Sequence, residues 1–70
     1  MKEPIAKARE ILKNGEYENE DLIEQFLDEA ETDADKAKAL DLFFKKEENP
    51  FETKTYFDLM NVYEEIIESK

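Results

Sequence analysis

Apolar residues recur at intervals of three and four along most of this chain, and few folds are compatible with that spacing. In the first segment, at about 100° per residue, one side of a helix would carry Ile5, Ala8, Ile11 and Leu12. Alternating strand patterns are nearly absent. Only residues 54–57 have β-propensity, and that stretch is too short to build a sheet. The spacing therefore predicts a helical protein.

Residues that favour helix ends mark the first two helices. Pro4 suits a first turn, and Gly15, the only glycine, follows the last apolar position, which predicts a first helix at residues 4–14. Asn19 is expected to cap the second helix, with acidic residues in its first turn. The apolar stripe of that second helix is Leu22, Ile23, Phe26, Leu27 and Ala30.

Two further helices follow. Thr32 with Asp35 three residues later has the pattern of a capping box, so a third helix is predicted from 33 to about 48. The fourth helix has two start signals, one at Pro50 and one near Tyr56, and the sequence does not choose between them. Both lead into the same broad apolar face.

Short loops between these segments predict an all-α fold, a compact bundle of three to four short helices. We expect residues 1–70 to form a single helical domain. A chain of this length buries only about 60% of the surface that it exposes when unfolded, so its stability should be marginal.

The sequence lacks the residues that most often support catalysis and metal binding. Cysteine and histidine are absent, which removes thiol nucleophiles, imidazole bases and zinc sites of the Cys/His type. Acidic residues alternate at 31, 33 and 35 like early EF-hand ligands, but Lys36 stands where glycine is needed and Leu42 where a bidentate glutamate belongs. We therefore expect no enzymatic activity, no cofactor and no metal.

The charge balance narrows the class of partner. Twenty acidic residues against ten basic ones give a net charge of −10, which repels nucleic-acid phosphates and anionic lipid. The first residues lack the uninterrupted apolar region of a secretory signal, and no apolar run approaches the ~20 residues needed to cross a membrane, so we expect neither a signal peptide nor a membrane span. The composition therefore favours a cytoplasmic protein that binds a protein with a basic surface, and binds neither nucleic acid nor membrane directly.

The acidic residues are concentrated: residues 14–35 hold ten carboxylates and neither lysine nor arginine. Carboxylates three and four residues apart share one side of a helix, about 5–6 Å from one another, which resembles the phosphate spacing of a nucleic-acid strand. The strip consists of Glu20, Glu24, Asp28 and Glu31, extending to Asp35 if the helix is continuous, with Tyr17 beside it as the most exposed tyrosine. The alternative is a solvated face that aids solubility.

Helix 3 carries apolar residues on two sides, since Leu42 and Phe43 point away from Leu40 and Phe44. A helix that is apolar on two sides is normally buried on two sides, which predicts a central position for it. Otherwise Leu42 and Phe43 form an exposed patch, joined by Phe51 and Phe57, that binds a partner or makes a homodimer.

These observations favour a small acidic adaptor or inhibitor that docks on a basic surface of a larger protein, in particular the phosphate-binding groove of a nucleic-acid-handling protein. The partner-binding residues would be Glu20, Glu24, Asp28, Glu31 and Tyr17. The alternative is a structural or assembly subunit that associates through Leu42 and Phe43.

Overall fold

Four α-helices make up most of residues 3–70, the part of the chain that this computed structural model describes. They are α1 (Glu3–Lys13), α2 (Glu20–Ala30), α3 (Ala34–Phe43) and α4 (Tyr56–Glu68). A 3-10 turn, Pro50–Glu52, precedes α4, and no strand occurs in the described range. The predicted all-α bundle is therefore confirmed. None of the helices within residues 3–70 combines the length and apolar character needed to cross a bilayer.

Capping residues set the helix starts, with one correction to the sequence interpretation. Asp33, not Thr32, caps α3, because its carboxylate accepts hydrogen bonds from the backbone N–H groups of Asp35 (3.0 Å) and Lys36 (3.4 Å). Asn19 occupies the N-cap position of α2 in the left-handed region (φ 57°), where asparagine is tolerated, but its side chain donates and accepts no capping bond.

The helix α4 begins at the later of its two start signals, the one near Tyr56. Thr55 accepts a hydrogen bond from the Asp58 N–H, and the Asp58 carboxylate accepts one from the Thr55 N–H at 2.7 Å, which completes a capping box. The earlier signal at Pro50 starts only the 3-10 turn. The helix α3 also ends at Phe43, short of the expected residue 48. Residues 45–48 are all charged, so a longer helix would bury no further apolar surface.

The helix α3 lies at the centre of the bundle and packs against α1, α2 and α4. Its buried residues Ala37, Ala39, Leu40 and Phe43 spread around more than one side of the helix, as the two-sided apolar pattern predicted. The other buried apolar residues are Ile5, Ala8, Leu12, Ile23, Phe26, Leu27, Ala30, Pro50, Phe51, Leu59 and Ile66.

Phe51 fixes the long α3–α4 connection to the core. Its ring centroid lies 5.6 Å from that of Phe43, 5.7 Å from that of Phe44 and 6.1 Å from that of Tyr17. Aromatic contacts at these distances add stabilisation beyond area burial. The 3-10 turn therefore attaches the α3–α4 connection to the end of α3 and brings it into contact with the α1–α2 loop, which contains Tyr17.

Candidate protein-binding surfaces

The acidic strip predicted from the sequence is real over the length of α2. Glu20, Glu24 and Asp28 follow one another at intervals of one turn on a continuous helix, and Glu31 is its C-cap residue in helical geometry. Glu24, Asp28 and Glu31 are exposed, whereas Glu20 is half-buried. Asp35 falls outside the strip because residues 31–33 separate α2 from α3.

The second half of this strip forms ion pairs with a residue of another helix. The Arg9 guanidinium on α1 donates a hydrogen bond to Asp28 at 2.8 Å and lies 3.5 Å from a carboxylate oxygen of Glu31. The hydrogen bond to Asp28, together with the nearby negative charges, raises the pKa of Arg9 above its ordinary value. Asp28 and Glu31 are therefore already paired within the domain.

Other carboxylates of the 14–35 segment also have internal partners. Lys36 pairs with Glu29, and the hydrogen bond between them lowers the pKa of Glu29 and raises that of Lys36. Lys70 pairs with Asp35, which raises the pKa of Lys70. Asp33 is occupied as the cap of α3. Sequence reasoning missed these partners because each cation comes from a residue outside the acidic segment.

The remaining carboxylates cluster where α2 begins, and we call this group the acidic end. It consists of Glu16, Glu18, Glu20, Asp21 and Glu24. Within the described chain no lysine or arginine forms an ion pair with any of them. Their position beside the positive end of the α2 dipole offsets part of their mutual repulsion. The acidic end is therefore the part of the 14–35 segment whose carboxylates form no ion pair within residues 3–70.

A cleft of about 360 Å³ opens beside the acidic end, between the α1–α2 loop and the 3-10 turn. Buried Ile23 and Phe51 contribute apolar lining, and Glu16, Glu18 and Glu52 contribute carboxylates. Lys54 also lines the cleft, but its ammonium lies 5.7 Å from the Phe43 ring centroid and pairs with no carboxylate of residues 3–70. The cleft therefore combines apolar lining with an excess of negative charge, three carboxylates against one lysine.

Tyr17 is part of this cleft, and it is not fully exposed as its position in a polar loop suggested. Its hydroxyl accepts a hydrogen bond from the Asn49 side-chain amide at 3.1 Å, and its ring packs against Phe51. Tyr17 is half-buried, as are Tyr56 and Tyr63. A polar loop sequence does not reveal a contact with residues that are more than thirty positions away.

The apolar pair proposed from helix 3 is divided by the structure. Leu42 is 41% exposed, whereas Phe43 is 3% exposed and belongs to the core. Phe51 is buried too, so the predicted patch of Leu42, Phe43 and Phe51 is wrong as a surface. Phe57 is 62% exposed. Of the two residues named on helix 3, Leu42 alone is available to a partner.

Metal-binding geometry is not found in residues 3–70, where no three acidic side chains come close enough to hold an ion. The hydroxyl of Ser69, the one serine of the sequence, donates a hydrogen bond to the Ile66 carbonyl at 2.9 Å.

Comparisons with protein-family models, with characterised proteins and with solved structures find no match to this chain.

Proposed function

We propose that this protein is a non-catalytic, cytoplasmic adaptor or inhibitor that docks its acidic end on a basic surface of a larger protein. The observation that carries the proposal is the division of the acidic segment into a paired half and an unpaired half. Arg9, Lys36 and Lys70 form ion pairs with carboxylates around and after the end of α2, but within residues 3–70 no cation forms an ion pair with a carboxylate of residues 16–24.

Unpaired like charges cost a helix a few tenths of a kcal/mol for each neighbouring pair. That cost disappears when a cationic surface approaches, so binding relieves repulsion as well as forming new ion pairs. Long-range attraction between a chain of net charge −10 and a basic surface also raises the rate of association. The acidic end would therefore raise both the affinity and the association rate for proteins with a basic surface, and would orient them on binding.

The cleft beside the acidic end fits one lysine or arginine side chain of such a partner. The aliphatic stem of that side chain would lie along Tyr17 and the apolar lining, and its cation would reach Glu16, Glu18 or Glu52. Asn49 holds the Tyr17 hydroxyl, so the wall is ordered before binding. A preorganised wall of this kind reduces the entropy lost on association.

Inhibition is the favoured outcome where the basic surface is a phosphate-binding groove. Glu20 and Glu24 are one turn apart, about 6 Å along the helix axis, so they present negative charges in a row, as successive phosphates of a strand do. Nucleic acid and the acidic end would then compete for the same lysines and arginines.

Charge reversal with a matched control tests the proposal. Glu18→Lys with Glu24→Lys reverses two exposed, unpaired carboxylates of the acidic end, and it spares half-buried Glu20. Glu64→Lys with Glu68→Lys makes the same change in net charge on α4, where both residues are exposed and form no ion pair with residues 3–70. Each protein serves as bait in a cell lysate, and the captured proteins are identified and then purified.

Wild type and the α4 variant should capture the same basic proteins, and the acidic-end variant should lose them. Capture should fall steeply between about 50 and 200 mM salt, and added DNA or RNA should displace a partner held through a phosphate-binding groove. Equal loss in both variants would show that net charge, and no particular surface, is responsible. Capture retained by both would remove the acidic end from binding altogether.

A further inference from the structure

Leu42 stands between two hollows on the face of the molecule formed by α1, α3 and α4. One hollow, of about 470 Å³, runs between α3 and α4, and Leu42, Val62 and Ile66 contribute its apolar lining. The other, of about 360 Å³, lies between α1 and α3, where Leu42 and Phe44 contribute the apolar lining. We call this surface, a leucine ridge flanked by two depressions, the Leu42 face.

The charge of the Leu42 face is balanced, unlike that of the whole chain. The α3–α4 hollow is bordered by Asp35, Lys38, Glu65 and Lys70. The α1–α3 hollow is bordered by Glu3, Lys7, Asp41 and Lys45. Acidic and basic residues are therefore equal in number around both hollows, although the net charge of the chain is −10.

We propose that the Leu42 face binds a second copy of this chain and forms a twofold-symmetric dimer. A chain of net charge −10 repels its own kind, so two copies can approach closely only where the local charge is balanced. A strongly basic partner, by contrast, gains no net attraction from a surface on which four lysines balance four carboxylates. The two surfaces therefore suit different partners because their charges differ. A basic protein fits the acidic end, and a second copy of this chain fits the Leu42 face.

The proposed dimer uses the exposed Leu42 and the hollows beside it as matching parts of one interface. In a twofold interface the same patch from each copy is used, so each ridge must meet a depression of the other copy. Leu42 of one copy enters the α3–α4 hollow of the second copy, and Leu42 of the second copy enters the α3–α4 hollow of the first. Neither Lys38 nor Glu65 has an ion-pair partner among the described residues, so symmetry lets Lys38 of each copy meet Glu65 of the other.

The area required is compatible with the size of the molecule. A standard interface covers about 800 Å² on each partner, which is about one sixth of the 4874 Å² surface of this domain. The dimer also buries further apolar surface for a chain that has a small core. It leaves both acidic ends uncovered, so dimerisation does not depend on the function proposed above.

Sedimentation velocity of the full chain over a series of concentrations tests the dimer. Wild type should pass from monomer to dimer, and added salt should not weaken association, because salt screens the repulsion between the two acidic chains. Leu42→Asp should weaken association at least about tenfold. Leu22→Asp is the matched control: Leu22 on α2 is 40% exposed and lines neither hollow, so that variant should dimerise like wild type.

A second pair of variants keeps the test decisive if Leu42→Asp disturbs folding. Lys38→Glu and Glu65→Lys change exposed side chains, and each should dimerise more weakly than wild type. Mixed together they should form a heterodimer through swapped charges, detected by mass after labelling one of them. A wild type that stays monomeric at every concentration overturns the proposal. Equal association of wild type, Leu42→Asp and Lys38→Glu, all folded, would place the interface elsewhere and overturn it as well.

Discussion

Leu42 and Phe43 are neighbours in α3 and lie in opposite environments, the first 41% and the second 3% exposed. Successive helical residues differ by about 100° in direction, so one step along a central helix is enough to pass from solvent to core. The Phe43 ring packs on Phe51 at 5.6 Å, and the Lys54 ammonium lies 5.7 Å from its centroid. Leu42, in contrast, forms a ridge between two hollows.

The two positions should therefore respond differently to the same substitution. Phe43→Ala removes a ring from the core, and we expect it to lower the free energy of unfolding by about 3–5 kcal/mol, a large part of the stability of a domain this small. Leu42→Ala should cost less than about 1 kcal/mol in the monomer. Urea denaturation followed by circular dichroism measures both. Similar losses in the two variants would contradict the central placement of α3.

Helix positions were largely predictable because local residues determine them. Apolar spacing and the Pro4 and Gly15 signals placed α1 to within one residue of its observed bounds. The cap of α3 was wrongly assigned to Thr32, because Thr32 and Asp33 are both good capping residues in adjacent positions. Only the backbone conformation decides between them, and Asp33 is extended (φ −111°, ψ 104°), as an N-cap must be.

Two alanine substitutions separate these capping candidates. Asp33→Ala should lower the free energy of unfolding by about 1 kcal/mol, because the Asp35 N–H and the Lys36 N–H lose their acceptor. Thr32→Ala removes only a long 3.4 Å hydrogen bond to the Glu29 carbonyl and should be close to neutral. Thermal unfolding of the two variants alongside wild type is sufficient. A larger effect at Thr32 would restore the sequence-based capping assignment.

Contacts between distant segments could not be read from local patterns. Residues 14–35 contain no basic residue, yet Arg9 pairs with Asp28 from α1 and Lys36 pairs with Glu29 from α3. Helix packing sets these distances, and a single sequence does not reveal which helices are neighbours. The same reason explains why the contact of Tyr17 with Asn49 was missed.

The Glu29–Lys36 pair gives a pH dependence whose sign follows from its pKa shift. The folded-state pKa of Glu29 is lowered, mainly by its hydrogen bond to Lys36, so the pair stabilises the protein above the unfolded-state pKa of 4.5. That contribution is lost as pH falls through the folded-state value. Wild type should therefore melt at a higher temperature than Glu29→Gln at pH 7, and the difference should shrink below pH 4.5. A difference that stays constant with pH would contradict the pairing.

Gly15 and Tyr17 should be energetically coupled. A Cβ atom at Gly15 would lie 2.8 Å from the Tyr17 ring, so Gly15→Ala forces the ring to move and weakens its hydrogen bond with Asn49. We expect Gly15→Ala to destabilise wild type by about 1 kcal/mol and to be nearly neutral in a Tyr17→Ala background. A double-mutant cycle measured by urea denaturation gives the coupling energy. Additive effects would show that the ring and the glycine do not interact.

Arg9 offers the sharpest test of the relation between internal pairing and binding. Arg9→Met keeps much of the apolar stem but releases Asp28 and Glu31, so that the strip from Glu20 to Glu31 becomes wholly unpaired. If the acidic end binds basic proteins, the released carboxylates extend it, and affinity for a captured partner should rise with a steeper dependence on salt.

Lys13→Met is the matched control, because it makes the same charge change on α1 at an exposed lysine that forms no ion pair with the described chain. It should raise affinity less, because it adds only long-range attraction. Stability should fall by no more than about 1 kcal/mol on loss of the Arg9 pairs, as is usual for exposed ion pairs. Titration calorimetry of both variants at two salt concentrations gives the comparison. Equal affinity gains in the two variants would show that net charge alone drives association, and an unchanged affinity in Arg9→Met would show that the partner does not contact the end of α2.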